Sequence, residues 1–196
     1  MSIVRIVIIG FALVVALGVM ALPSAALAGG EGGLSKAPEM TLPDIHGKDY
    51  KITWGDSKAT LVNFWAVWCV PCQDEIPQIS DLVTEFKGRG FRAIGIAVES
   101  GDASAVRSFL AENPELGVNY PVLIGNLESI MKYGNVDSIP TTFLVDSKGA
   151  VHKTYIGATP GFGKAVGADI AAIIGKGEKA RAAPAPKDAP KEGSGN

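Results

Sequence analysis

The chain has two cysteines, Cys69 and Cys72, which lie three residues apart. They follow residues 60–66, a short β-forming run typical of a strand buried on both faces of a sheet, and they precede apolar residues at helical spacing. Positions i and i+3 of a first helical turn bring two Cα atoms to about 5–6 Å, which a disulfide accepts. The Cys69 sulfur would lie beside unpaired N–H groups at the positive end of the helix dipole, which favours a thiolate. The pattern predicts a dithiol/disulfide pair in which Cys69 attacks and Cys72 resolves.

The two residues between the cysteines, Val70 and Pro71, shape the loop. Pro71 suits the opening turn of a helix, because its missing N–H would have no helical partner and its fixed φ stiffens the loop. Neither residue is charged or polar. The loop therefore supplies no side chain that would stabilise the Cys69 thiolate further.

Two other roles of the cysteine pair fit the sequence less well. A zinc site would need more ligands, and the remaining candidates, His46 and His152, are isolated in the sequence. We expect these histidines to be a turn residue and a strand-surface residue without a function. A purely structural disulfide would close a loop too short to stabilise the fold much, since the gain grows with loop length. A redox role without a metal or other cofactor is therefore favoured.

The elements that must position the pair form one α/β domain. Strand 60–66, a helix from the cysteines to residue 87 and strand 91–98 make a parallel unit, and the helix contains Pro77, where we expect a kink. Strands 141–145 and 150–156 flank a turn and precede a last helix at 163–174, which makes an antiparallel unit. Short strands within 40–54 and at 120–124, and helices at 102–112 and 127–133, complete the set. We predict a single domain at 38–175 with a central mixed sheet and helices on both faces.

The two ends of the chain differ from this domain. Residues 6–30 carry no charge, and Pro23 with the small residues Ala26 and Ala28 predicts an export signal cleaved after Ala28. The length of the apolar run, 6–22, leaves an uncleaved membrane anchor as the alternative. On either interpretation residues 1–28 direct the rest to the periplasm and are its only contact with a membrane. Residues 29–37 are a linker.

Residues 176–196 are rich in Ala, Pro, Lys and Gly, and we predict a disordered tail there. The tail has five basic and three acidic residues, too weak and mixed a charge for nucleic-acid binding. Residues 29–175 have 12 basic and 17 acidic residues, a net charge of −5. We therefore expect a mildly acidic domain that does not bind nucleic acid. We also expect the protein to act as a monomer.

The run VNFWAVWCVPCQDEIP at residues 62–77 resembles the TlpA/ResA-like branch of the thioredoxin superfamily, whose members are exported, usually membrane-tethered thiol-disulfide oxidoreductases. The resemblance continues through LPDIHG at 42–47, AVE at 97–99, YPVL at 120–123, IPTTFLVD at 139–146 and Gly157, and it covers roughly residues 38–175. It implies a thioredoxin-like fold and thiol-disulfide exchange as the activity.

The resemblance also implies roles for residues outside the cysteine loop. Pro140 matches the family's cis-proline, whose loop with Ile139 faces the dithiol and pairs with the extended backbone of a substrate. Trp68 is expected to cover the disulfide on the substrate side. Asn63 departs from thioredoxin itself, which has a buried acid in the matching strand position. We expect Gln73 and Asp74 to be solvated helix positions and Glu99 to be a loop charge.

Glu75 matches an acidic residue that the family keeps three residues after the second cysteine. Cys72 and Glu75 lie one helical turn apart on one helix face. If the carboxyl group is partly buried, its pKa rises and it can take the proton as Cys72 becomes a thiolate. The alternative is an exposed helix charge with no role.

The expected function is the reduction of disulfides in partner proteins. Strong oxidants of this superfamily favour a histidine between the cysteines, and Val70 and Pro71 are apolar. We therefore expect a reductase that a membrane thiol electron donor recharges. The family's tasks imply substrates such as apocytochrome c before haem attachment, in cytochrome c biogenesis, or a copper-site protein before metal loading.

Two alternatives use the same fold. A metallochaperone-like copper-binding module would need a histidine or methionine that reaches the cysteines, and none lies in an obvious place. A peroxiredoxin-type peroxidase would carry its cysteine after a Pro-x-x-x-Thr/Ser-x-x pattern, whereas FWAVW at 64–68 precedes Cys69. We do not expect antioxidant activity.

Overall fold

The computed structural model describes residues 33–182, and a five-stranded mixed sheet forms the centre of this region. The strands are β1 (Met40–Pro43), β2 (Asp49–Ile52), β3 (Ala59–Trp65), β4 (Phe91–Ala97), β5 (Val122–Ile124), β6 (Thr141–Asp146) and β7 (Val151–Ile156). The helices are α1 (Val70–Glu85), α2 (Ala103–Glu112), α3 (Leu127–Lys132) and α4 (Phe162–Ala182), with a 3₁₀ turn at Pro114–Leu116. The central sheet has the order β5-β4-β3-β6-β7, and β1 and β2 form a separate two-stranded sheet.

Strand β3 lies at the middle of the central sheet, and all seven of its residues are buried. It pairs in parallel with β4 and antiparallel with β6, so the predicted parallel and antiparallel units meet at this strand. Phe64, near the end of β3, pairs with Thr141, the first residue of β6. The loop that follows β3 and the loop that precedes β6 therefore reach the same edge of the sheet.

The sheet buries both of its faces, which explains why β3 and β4 are continuous apolar runs. On one face, apolar residues of α1, α2 and α4 pack against the sheet in a core that also contains both cysteines. On the other face, β1, β2 and the end of α3 cover the sheet through residues such as Leu42, Ile52 and Tyr133. The predicted mixed sheet with helices on both faces is confirmed.

Most element boundaries lie within two residues of the sequence prediction, and the largest difference is at the end of α4. Helix α1 begins at Val70, with Cys69 as its N-cap, and it continues through Pro77 to Glu85. Helix α4 continues to Ala182, so the first seven residues of the predicted disordered tail, 176–182, are helical instead. The reason is local composition, because Lys, Glu, Ala and Arg favour a helix and the first proline of the tail is Pro184.

The predicted export segment, residues 1–28, and the rest of the tail, 183–196, lie outside the described residues. Within residues 33–182, no helix has the length and apolar character that crossing a membrane requires.

Candidate functional site

Cys69 and Cys72 form a disulfide at the beginning of α1, with their Cα atoms 5.3 Å apart. Cys69 is the N-cap residue, and the backbone N–H of Cys72 donates to the Cys69 sulfur at 3.3 Å. This contact and the helix dipole stabilise negative charge on the Cys69 sulfur once the disulfide is reduced. The predicted placement of Cys69 beside the N–H groups of the first turn is therefore confirmed.

The two sulfur-bearing residues differ in accessibility. Cys69 is 5% exposed and Cys72 is 1% exposed. Both residues are buried, and the slightly more exposed one is also the one whose thiolate the helix stabilises. This small difference fits the predicted roles, in which Cys69 attacks the partner disulfide and Cys72 resolves the mixed disulfide.

Three exposed apolar residues adjoin the cysteines in the chain. Trp68 is 58% exposed and Val70 is 65% exposed, and Pro71 follows at the first turn of α1 as an exposed residue. Soluble domains rarely leave several large apolar side chains together at the surface without a binding role. The rim of the disulfide therefore offers an apolar contact to another molecule.

The peptide bond between Ile139 and Pro140 is cis, as predicted. Ile139 is half-buried and packs against the core that contains both cysteines, and Pro140 is buried. The Pro140 carbonyl accepts a hydrogen bond from the N–H of Gly157 at 2.8 Å, which fixes the loop to the end of β7. The structure thus places the cis-proline loop at the same sheet edge as the disulfide.

Glu75 is 4% exposed, and it is the only charged residue in the buried set of the described region. Its Oε1 accepts a hydrogen bond from the N–H of Thr159 at 3.4 Å. Burial raises the pKa of the Glu75 carboxyl from its usual value of 4.5 to about 7, although the hydrogen bond from Thr159 acts in the opposite direction. The alternative of an exposed helix charge is therefore wrong.

An open groove connects Glu75 to solvent. Its walls come from the start of α1 and from the loop between β7 and α4, including Pro71, Gln78 and Thr159. A carboxyl group with a pKa of about 7 gains and loses protons readily at neutral pH. Glu75 can therefore exchange a proton with solvent from a position one helical turn after Cys72.

Asn63 occupies the strand position where thioredoxin has a buried acid. It is buried in β3, and its Nδ2 donates to the hydroxyl of Thr142 on β6 at 2.9 Å. An amide does not titrate in this range, so Asn63 offers no proton transfer. Of the two buried positions 63 and 75, only Glu75 therefore has an acidic group that can accept a proton.

Two residues that we expected to be a solvated helix position and a loop charge, Gln73 and Glu99, and the neighbouring Ser100 also hold the site. Gln73 is half-buried rather than solvated, and its Nε2 donates to the carbonyl of Val67 at 2.7 Å. Glu99 accepts the indole N–H of Trp68 through its backbone carbonyl, and the neighbouring Ser100 hydroxyl accepts the N–H of Val67. No local sequence pattern predicts the contacts of Glu99 and Ser100, because they join residues 31 and 33 positions apart.

The two histidines lie where the sequence placed them. His46 is exposed in the turn between β1 and β2, and His152 is exposed on β7, where its Nε2 lies 2.9 Å from Asp146 Oδ2. Among residues 33–182, no group of three or more His, Cys, Asp and Glu side chains is arranged to hold a metal ion.

Comparison with known proteins gives consistent matches across the domain. The model of the AhpC/TSA family matches residues 34–154, a span that contains both cysteines, Glu75 and Pro140. The thiol-disulfide oxidoreductase ResA of Geobacillus thermodenitrificans is 31% identical over 123 residues, which are 63% of this chain and 68% of that protein.

Two solved structures from Chlorobium tepidum are also similar. One, described as a thiol:disulfide interchange protein DsbE, has a TM-score of 0.64 and 27% identity, covering 71% of this chain and 96% of the other. The second, a thiol:disulfide interchange protein of the thioredoxin family, has a TM-score of 0.58 and 29% identity, covering 72% and 94%. These matches confirm the predicted thioredoxin-like fold.

Proposed function

Because the chain belongs to the AhpC/TSA family and is a ResA-like member of the thioredoxin superfamily, we propose that it is an extracytoplasmic thiol-disulfide oxidoreductase that reduces disulfides in partner proteins. The observation that carries this proposal is the Cys69–Cys72 disulfide at the N-terminus of α1, where Cys69 is the N-cap and is 5% exposed against 1% for Cys72. The ResA relative and both Chlorobium proteins carry names of the same activity class.

The reaction begins with the reduced pair. The Cys69 thiolate attacks one sulfur of a partner disulfide, which forms a mixed disulfide and releases the other partner sulfur as a thiolate. Cys72 then gives its proton to the Glu75 carboxylate and attacks the Cys69 sulfur. This breaks the mixed disulfide, releases the second partner sulfur as a thiolate and restores the Cys69–Cys72 disulfide. The two partner thiolates then take up protons, one from the Glu75 carboxyl group and one from water. Two electrons pass from the pair to the partner.

The cis-proline loop and the rim have a binding role in this proposal. Ile139 and Pro140 lie at the same sheet edge as the disulfide, and we propose that they pair with an extended segment of the partner while Trp68 and Val70 supply apolar contact. Pro71 and Val70 shape the loop without adding charge. The site then selects an accessible disulfide in a flexible segment rather than one inside a folded core.

The proposed setting is the periplasm, where residues 1–28 either are removed or tether the domain to the inner membrane. Thiols in an oxidising compartment are mostly paired, so a reductase there needs a supply of electrons, for which we propose a membrane thiol donor. Cytochrome c or copper-site maturation supplies substrates of the right class, namely cysteines that must be reduced before they bind haem or copper. We propose that the protein acts as a monomer.

The direction of electron flow gives a direct test. We expect a reduction potential below about −200 mV, nearer to that of thioredoxin at about −270 mV than to that of DsbA at about −120 mV, because the loop has no side chain that stabilises the Cys69 thiolate strongly. Equilibration of the purified protein with dithiothreitol redox buffers, read by tryptophan fluorescence, measures it. A potential near that of DsbA would contradict the role of a reductase.

A further inference from the structure

Hydrogen bonds to two parts of the chain, residues 98–101 and helix α1, hold the segment that precedes the attacking cysteine. Val67 and Trp68 lie between the end of β3 and Cys69, outside any strand or helix. The N–H of Val67 donates to Ser100 Oγ at 3.1 Å, and the carbonyl of Val67 accepts from Gln73 Nε2 at 2.7 Å. The indole N–H of Trp68 donates to the carbonyl of Glu99 at 2.9 Å. Two of these three hydrogen bonds come from residues 98–101, the turn between β4 and α2.

This turn has an unusual backbone. Glu99 has a φ of +48°, and among the described residues only Asn135 shares a positive φ without being glycine. Asparagine tolerates this left-handed conformation well, whereas a glutamate adopts it at an energetic cost. Ser100 is buried, and its hydroxyl donates to the carbonyl of Val98 at 2.8 Å while it accepts from Val67. Such strained residues persist where the surrounding structure fixes them, and they concentrate at functional sites.

The strained conformation determines where the Glu99 carbonyl points. That carbonyl is the only described hydrogen-bond partner of the Trp68 indole N–H, while the ring remains largely exposed. The exposed carboxylate of Glu99 has no described contact with Trp68. The Trp68 indole is therefore fixed at its N–H by a hydrogen bond, while the apolar face of its ring remains exposed. An aromatic contact that is fixed before binding loses little conformational freedom when a partner docks.

We infer that residues 98–101 are a positioning element for partner recognition, in which the Glu99 carbonyl holds Trp68 as a fixed apolar contact beside Cys69. The recognised group is an extended polypeptide segment that carries an accessible disulfide next to an apolar side chain. Glu99 and Ser100 act through Trp68 and Val67 and do not touch the reacting sulfur atoms. This inference rests on the proposed function, because it assigns a source of affinity for that reaction.

The inference predicts an effect on binding but not on chemistry. A valine at position 99 disfavours a positive φ, because it is branched at Cβ, so Glu99→Val should turn the carbonyl away from Trp68. In single-turnover reduction of insulin by the pre-reduced protein, the half-saturating insulin concentration should rise about 5-fold, the equivalent of one lost hydrogen bond, while the maximal rate changes less than about 2-fold. Reduction of hydroxyethyl disulfide, which has no polypeptide segment or apolar side chain to bind the Trp68 ring, should change less than about 2-fold.

Three further variants test whether an effect comes from the Trp68 contact, from the loss of the Glu99 carboxylate or from the substitution to valine itself. Trp68→Phe keeps an aromatic ring and removes the N–H donor, so it should raise the half-saturating insulin concentration as Glu99→Val does, and it tests the inference even if Glu99→Val fails to fold. Glu99→Gly also removes the carboxylate, but glycine adopts a positive φ readily, so the contact with Trp68 should persist. Glu112→Val makes the same substitution at an exposed helix residue and should match the wild-type protein.

Hydrogen exchange of the indole N–H, followed by nuclear magnetic resonance, reports the contact itself. The Trp68 signal, assigned by its absence in Trp68→Phe, should be protected in the wild-type protein and in Glu99→Gly and should exchange faster in Glu99→Val. An unchanged insulin half-saturation in both Glu99→Val and Trp68→Phe, or an unprotected indole in the wild type, would overturn the inference. If the wild-type protein does not reduce insulin, the proposed function fails instead, and the indole exchange still decides whether the turn positions Trp68.

Discussion

A Cys69→Ser variant should lose disulfide reductase activity at least about a thousandfold, because a serine hydroxyl at neutral pH cannot replace a thiolate nucleophile. Of the two cysteines, Cys69 is the more exposed, at 5% against 1% for Cys72, and it is the N-cap of α1. The measurement is the initial rate of insulin reduction with dithiothreitol as the electron source, corrected for the rate with dithiothreitol alone.

The matched variant Cys72→Ser distinguishes attack from resolution. It should also lose multiple turnover, but its Cys69 should still react with one equivalent of a small aromatic disulfide, because the attacking thiolate and its helix N-terminus are intact. In Cys69→Ser the remaining thiol, Cys72, should react far more slowly. Equal reactivity of the two single-cysteine variants would show that the structure assigns the roles wrongly.

Glu75→Gln should lower the single-turnover rate of insulin reduction about 100-fold at pH 8, a typical contribution of a positioned general base. The wild-type rate should rise with pH through about 7 as the carboxyl group ionises and becomes able to accept the Cys72 proton. The variant should lack this inflection, because glutamine does not titrate. Asp81→Asn, which removes an exposed carboxylate from the same helix, should keep the wild-type profile.

The same titration should appear in the stability of the oxidised protein. The native state holds the Glu75 proton more tightly than the unfolded chain, because the native pKa is about 7 and the usual value is 4.5. The stabilisation is therefore complete below pH 4.5 and is lost as the pH rises through about 7, a change of up to about 3 kcal/mol in the free energy of unfolding. Denaturant unfolding of Glu75→Gln should lack this change. A variant that retains both the rate inflection and the stability change would exclude Glu75 as the proton acceptor.

The parts of the site that depend on local geometry could be predicted from the sequence. The spacing of Cys69 and Cys72 at the start of a helix determines their separation, and the apolar runs of β3 and β4 determine a buried parallel pair. The cis bond before Pro140 came from the resemblance to a family, since nothing in the physical chemistry of Ile-Pro alone selects the cis isomer.

The parts that depend on tertiary contacts could not be predicted in the same way. The buried Glu75 carboxyl group accepts its hydrogen bond from Thr159, which lies 84 residues further along the chain. The contact between Trp68 and Glu99 uses a backbone carbonyl, and every residue type has one, so the identity of residue 99 gave no signal. The helix-forming residues at the start of the tail favour the extension of α4 to Ala182. The prediction of disorder used the composition of the whole tail, which is dominated by the Ala- and Pro-rich part that follows.

The measurement that tests the central claim most directly is the isolation of a mixed disulfide. Reduced Cys72→Ser protein, mixed with insulin, should form a covalent one-to-one complex through Cys69, because serine cannot attack the Cys69 sulfur and release the partner. Mass spectrometry after digestion should identify a peptide containing Cys69 joined to an insulin peptide, and dithiothreitol should separate them. The absence of any such adduct, in a preparation whose Cys69 thiol is shown to be free and reactive, would contradict the assignment of this protein as a reductase of protein disulfides.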